Sequence, residues 1–154
     1  MPEENEFDAK AAHKFFAAEC FNQAWDLLDK AERTAEEDEQ LIRLTMASHY
    51  HWTQREDYNA TNRSVAYWQT ARVFAVLGQA ENARHYAQLC LQTSREGVAP
   101  FFLGYAYEAL ARAEAAAGNQ QQMEVYLARA RELAEKVTEE ESKKMLLDDL
   151  GTIR

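Results

Sequence analysis

Leu77-Gly78-Gln79-Ala80-Glu81-Asn82-Ala83-Arg84-His85-Tyr86-Ala87-Gln88-Leu89-Cys90-Leu91 and Ala117-Gly118-Asn119-Gln120-Gln121-Gln122-Met123-Glu124-Val125-Tyr126-Leu127-Ala128-Arg129-Ala130-Arg131 are two versions of one pattern. Each opens with a glycine that ends a helical run, because glycine takes a left-handed backbone without strain. Each then sets small or apolar residues at equal offsets: Ala83 and Met123, Ala87 and Leu127, Cys90 and Ala130. Spacings of three and four put these side chains on one face of a helix. Small residues there let the second helix lie close against the first. The pattern reads as a helical hairpin used twice, and Ala18-Glu19-Cys20-Phe21-Asn22-Gln23-Ala24-Trp25-Asp26-Leu27-Leu28-Asp29-Lys30-Ala31 is a third, weaker version.

Apolar periodicity and caps extend the helical reading to the whole chain and predict seven or eight helices. The first segment runs from about Glu6 to Arg33, with Phe7, Ala11, Phe15 and Ala18 as one stripe and Phe21, Ala24, Trp25, Leu28 and Ala31 continuing it. A bend near Glu19–Cys20 makes it a hairpin; without a bend it is one long helix that pairs with the next. Thr34-Ala35-Glu36-Glu37 has the spacing of a capping box and opens a helix, from Ala35 or Asp38, that reaches Glu56. Asn59 caps a helix over 60–77, ended by Gly78. A helix over 79–95 closes at Gly97. Pro100 suits a first helical turn, where its missing N–H costs nothing, and that helix runs to Ala117. Gln120 to Lys136 follows. Thr138-Glu139-Glu140-Glu141 has capping-box spacing, and Met145, Leu146, Leu147 and Leu150 give a last, capping helix over 138–150 its apolar face. The expected fold is all-α, a single domain over 1–154 made of stacked antiparallel helical hairpins.

Bulk composition agrees. Of 154 residues 47% are apolar and 28% charged, enough for a core and too apolar for a disordered chain. Five glycines and two prolines are too few for a turn-rich β architecture. The net charge of −9, with arginines scattered singly among acids, argues against a nucleic-acid partner, which needs a basic stripe. It argues equally against an anionic membrane surface. No run of 18 apolar residues occurs, and the acidic start, Met1-Pro2-Glu3-Glu4-Asn5-Glu6-Phe7-Asp8-Ala9-Lys10, lacks the apolar stretch of a leader peptide. A cytoplasmic protein is expected, with Cys20 and Cys90 as small core residues in a reducing compartment.

The hairpin pattern, with its small residues at fixed offsets after a tight turn, resembles the tetratricopeptide repeat, a helix-turn-helix unit of about 34 residues. The resemblance covers residues 60–137 well and 11–31 loosely. The two glycines stand 40 residues apart, so the spacing departs from a regular repeat. Met46-Ala47-Ser48-His49-Tyr50-His51-Trp52 and Ala106-Tyr107-Glu108-Ala109-Leu110-Ala111-Arg112 are also similar to a family of small bacterial tetratricopeptide-like proteins. That resemblance implies a right-handed superhelix of helix pairs and brings no catalytic residue or cofactor.

A helical wheel then locates polar groups on faces that ought to be buried. In the helix ending at Glu56, Leu41, Ile42, Leu44, Met46 and Trp52 share a face with Thr45, Ser48 and His49. The helices over 60–77 and 100–117 are apolar nearly all round, yet carry Arg72, Glu108 and Arg112. Glu108 and Arg112 are four apart and can pair along one helix. An enclosed arginine needs a partner, because a lone buried charge costs several kcal/mol. A network among Arg72, Glu108 and Arg112 is therefore expected. It admits two readings: polar residues that satisfy one another and hold the helices in register, or a cleft lined by His49, Trp52, Tyr67, Trp68, Arg72, Tyr105, Glu108 and Arg112, the aromatic wall with few polar groups that a peptide or small ligand needs.

Other chemistry lacks a pattern to support it. His49 and His51 are two apart and point to different helix faces, whereas two metal ligands on one helix want three or four. His13 and His85 stand far off in sequence. Phosphate-loop, dinucleotide and nucleophile-elbow motifs are absent. No metal, cofactor or catalytic activity is expected. The expected function is the binding of a protein or peptide segment in a groove of helical hairpins. The alternative is a small-molecule carrier or sensor whose pocket uses the aromatic, histidine, arginine and glutamate cluster. Self-association into a homodimer is a third outcome, because terminal repeats expose apolar surface unless capped.

Overall fold

The computed structural model describes residues 6–95 and 97–154 and holds seven helices and no strand among them. The acidic start of the chain over residues 1–5 lies outside the described residues. The helices fall into two compact units, Met1–Tyr58 and Asn59–Arg154.

The first unit is one hairpin. Helix α1 spans Ala9–Leu28 without interruption, begun by Asp8, whose carboxylate accepts the Ala11 N–H at 3.0 Å. The bend at Glu19–Cys20 does not occur, so the third, weaker version of the hairpin pattern contains no turn. Nothing there stops a helix: residues 18–24 include neither glycine nor proline, and Ala, Glu and Gln favour continuing. Helix α2, Ala35–Thr53, starts at Thr34 with both bonds of the capping box, Glu37 N–H to Thr34 Oγ1 at 3.1 Å and Thr34 N–H to Glu37 Oε2 at 2.9 Å. The two helices pack on each other.

The face that α1 turns inward differs from the expected stripe. Ala17 and Ala24 are fully buried, while Phe7, Ala11, Phe15 and Ala18 are exposed. The reason is steric. Alanines at the contact let α2 approach closely enough to bury Leu41 and Leu44, and large rings there would hold the helices apart. The close approach also gives Ser48 its partner, since its hydroxyl donates to the Ala17 carbonyl at 2.8 Å.

The second unit holds α3 (Ala60–Val76), α4 (Ala80–Ser94), α5 (Pro100–Ala116), α6 (Gln120–Ala134) and α7 (Glu140–Leu150). Asn59 caps α3 and Asn62 closes the box. The turns α3–α4 and α5–α6 share one geometry. Gly78 and Gly118 both sit at φ 74°. The Gln79 N–H reaches back to the Phe74 carbonyl at 2.9 Å, and the Asn119 N–H to the Glu114 carbonyl at 3.0 Å. This is the Schellman ending, in which a left-handed glycine lets the next N–H satisfy a stranded carbonyl. Ala83, Ala87, Cys90 and, forty residues on, Met123, Leu127, Ala130 are all buried, as the matched offsets require.

Helix α5 touches α3, α4, α6 and α7. One core cluster joins Ala71, Ala87, Cys90, Leu91, Ala106, Ala109 and Leu110. Another joins Tyr105, Met123, Leu127, Ala130 and Ala134 to Leu146, Leu150 and Ile153. Leu146 and Leu150 of α7, with Ile153 just after it, thus cover the α5–α6 hairpin, whereas Met145, expected in that role, is more than half exposed. Its capping also differs: Glu139, not Thr138, caps it and accepts the Glu141 and Ser142 N–H groups. A carboxylate at a helix N-terminus does the work of a hydroxyl and adds favourable charge. Gly104 makes room for α7, since a Cβ built there would lie 2.6 Å from Leu146 Cδ2.

Candidate functional site

Helices α3 and α5 bring Trp68, Arg72, Tyr105, Glu108 and Arg112 together around one carboxylate. Glu108 has no exposed surface. It accepts the Trp68 indole N–H at 2.8 Å and the Arg112 Nε–H at 2.7 Å. Arg72 Nη2 lies 3.5 Å from Glu108 Oε1 and 3.5 Å from Asp149 Oδ1. Tyr105 donates to Asp149 Oδ2 at 2.6 Å, and its ring meets those of Trp68 and Phe101 edge-on at 5.1 Å. Arg112 also donates to the Asp149 carbonyl at 3.1 Å and to Thr152 Oγ1 at 2.9 Å.

The charges balance: two guanidiniums face two carboxylates. Burial pulls the Arg72 guanidinium down from its ordinary range, opposed chiefly by Glu108, with Arg112 adding to the fall and Asp149 opposing it. Burial, followed by the bond to the Asp149 carboxylate, pushes the Tyr105 phenol far up, so it stays protonated and serves as a donor. The side chains of Arg72 and Arg112 keep 14% and 15% of their surface and that of Asp149 keeps 33%, so the network meets solvent along this edge while Glu108 stays enclosed.

Three of the candidates have other partners. Tyr67, on the α4-facing side of α3, stacks on Tyr86 at 6.3 Å. His49 and Trp52 belong to the first unit. His49 Nε2 is 2.9 Å from the Tyr58 hydroxyl. The Arg55 guanidinium lies 4.0 Å over the Trp52 ring and binds Asp57 through Nε at 2.7 Å and Nη2 at 2.6 Å.

Sequence reasoning missed Asp149 and Thr152. The signal was present: Leu146, Leu150 and Ile153 form a stripe at spacings of four and three, and Asp149 lies at its edge. It also missed the ion pair between α4 and α5, where Arg84 holds the nearly buried Glu114 with two bonds of 2.8 Å. That pairing draws the Glu114 carboxyl down and the Arg84 guanidinium up. Cys90 is a buried thiol pushed up to about 11 by desolvation, while Cys20 is half-buried. The first unit carries a cavity of about 290 Å³ lined by Lys10, Lys14, Gln54, Arg55, Glu56 and Asp57.

Among the described residues no three His, Cys, Asp or Glu side chains converge as metal ligands, and no helix is long and apolar enough to cross a membrane. Comparison with family models, with curated proteins and with solved structures finds no match.

Proposed function

We propose that the chain is a non-catalytic binding module that takes a protein or peptide segment along α3 and α5, with α3–α6 acting as a pair of tetratricopeptide-like hairpins in a right-handed array. Support for the repeat reading comes from the two identical glycine turns, the matched burial forty residues apart, and the packing of α3 against α5 as well as α4. The observation that carries the binding reading is the partly open edge of the charged network. Arg72 and Arg112 are held in place by Glu108 and Asp149 and flanked by Trp68, and each keeps a small accessible edge. Pre-set donors beside an aromatic wall lower the ordering cost of binding. A small or extended segment with acceptor groups fits them. Glu108 itself is enclosed and acts as the counter-ion that positions both arginines.

The small-molecule reading has a different candidate seat, the open pocket of the first unit, which is lined by charged and polar side chains and falls just under the usual volume range for ligand pockets. Native mass spectrometry of the freshly purified full chain separates these readings. A retained peptide whose removal shifts the NMR signals of Trp68, Arg72 and Arg112 supports the module. A retained small molecule that shifts Lys14 and Arg55 supports the carrier. A doubled mass with no other species supports a homodimer instead.

A further inference from the structure

His13 on α1 and His51 on α2 meet across the first hairpin, Nδ1 to Nδ1, at 2.8 Å. Their ring centroids are 5.0 Å apart, close to the full nitrogen separation plus a ring radius at each end, so the two nitrogens point at one another. Lone pairs that chelate a single ion converge on a point off that line; this is hydrogen-bond geometry. A neutral imidazole offers one donor and one acceptor nitrogen, and a charged one offers two donors. The contact therefore needs one ring with its proton on Nδ1 and the other with Nδ1 bare. It survives with neither ring charged or with one charged, and it fails when both are.

Among the described residues aromatic rings, and no bonded carboxylate, surround the pair. The Tyr50 ring lies 6.0 Å from His13 and 5.4 Å from His51, and the Phe16 ring lies 5.5 Å from His51. The charged groups nearest along the two helices are Asp8, Lys10 and Lys14 at the start of α1 and Arg55, Glu56 and Asp57 after α2, and the Asp8 carboxylate is engaged in capping α1. Glu56 is taken by Lys10 at 2.5 Å and Asp57 by Arg55. Neither imidazole bonds a carboxylate among the described residues.

We propose that the His13–His51 contact is a proton-operated latch that holds α1 to α2 near neutral pH and releases when both imidazoles are charged. Burial, and then the neighbouring His13, lower His51 from its ordinary 6.5, in line with a second proton that is hard to add. The direction of the pH effect follows. The unfolded chain binds that proton near 6.5, the folded hairpin only below it. Stability from the latch is thus complete above that range and is lost as pH falls through 6.5 toward the lower folded value.

The test is NMR of the imidazole nitrogens in the full chain, titrated from about pH 8 to about pH 4.5, across the histidine range. The expected result is that one of the two rings carries its proton on Nδ1 at the alkaline end, against the usual Nε2 preference. The pair then titrates in two separate steps, the later one below 6.5. Both rings protonated on Nε2, or a single titration step shared by the two rings, overturns the latch. Hydrogen exchange gives a second readout. After correction for intrinsic rates, α1 and α2 should lose protection between about pH 7.5 and about pH 5 while α3–α7 hold theirs. In His51→Gln, or His13→Gln if that variant fails to fold, the acid-induced loss should vanish; its persistence there overturns the proposal.

Discussion

Replacing Glu108 with glutamine removes one charge and changes the shape of the site hardly at all. The wild-type carboxylate is fully enclosed and receives the Trp68 N–H at 2.8 Å, the Arg112 Nε–H at 2.7 Å and the Arg72 guanidinium at 3.5 Å. A glutamine keeps one acceptor oxygen and turns an NH2 group toward an N–H donor. Two guanidiniums are then left with Asp149 as their one carboxylate in the network. Breaking a buried pair costs about 3–5 kcal/mol. Here the loss is softened, because Arg112 retains the Asp149 carbonyl and Thr152 Oγ1 and both arginines keep an edge in water. The expected destabilisation is therefore about 3 kcal/mol, at the lower end of that range.

The assay is urea unfolding of a chain in which Trp25 and Trp52 are phenylalanine, so that Trp68 reports from inside the network. The Arg112→Met variant and the double variant complete a cycle, and residues sharing one network should show a coupling of about 1 kcal/mol or more. A loss below about 1 kcal/mol for Glu108→Gln, the level of an exposed ion pair, would refute the argument that Glu108 is the enclosed keystone of these helices. A mild loss accompanied by release of a co-purifying ligand would instead mean that water fills the site and that Glu108 faces the ligand.

Three further outcomes test the packing. Truncation after Lys136 removes Leu146, Leu150 and Ile153 from the core cluster they share with Tyr105 and Leu127, so the shortened chain should melt earlier and aggregate, as light scattering would record. Ala83 has no exposed surface, and Ala83→Leu should cost about 1–3 kcal/mol by overpacking, measured by thermal unfolding; a neutral result would undo the repeat alignment. Gly104→Ala sets a methyl against Leu146 and should destabilise the wild type, yet become neutral or stabilising once Leu146→Ala has cleared the space, because alanine favours the helix by about 1 kcal/mol.

What could be read from the chain alone, and what could not, divides along a physical line. The turns at Gly78 and Gly118, the caps at Thr34 and Asn59, and the burial of Ala83, Ala87 and Cys90 follow from bonds and spacings within a few residues. Local chemistry decides them, and periodicity reports it. The pairing of Arg72 and Arg112 with Glu108 was also legible, because a charge on an otherwise apolar helix must find an opposite charge nearby. The inward face of α1 was not legible. Its sequence offers an aromatic stripe through Phe7 and Phe15 and a small-residue stripe through Ala17 and Ala24, and hydrophobicity alone favours the first. Close approach favours the second, because Leu41 and Leu44 of α2 bury themselves only where α1 is thin. The two contacts that matter most for chemistry, His13 with His51 and Tyr105 with Asp149, join residues 38 and 44 positions apart. Each depends on how one helix is rotated against another. A wheel drawn on a single helix cannot supply that rotation, but it does narrow it: once Ala17 and Leu146 are taken as contact points, His13 lies one turn from the first and Asp149 three residues from the second, on the faces where their partners stand.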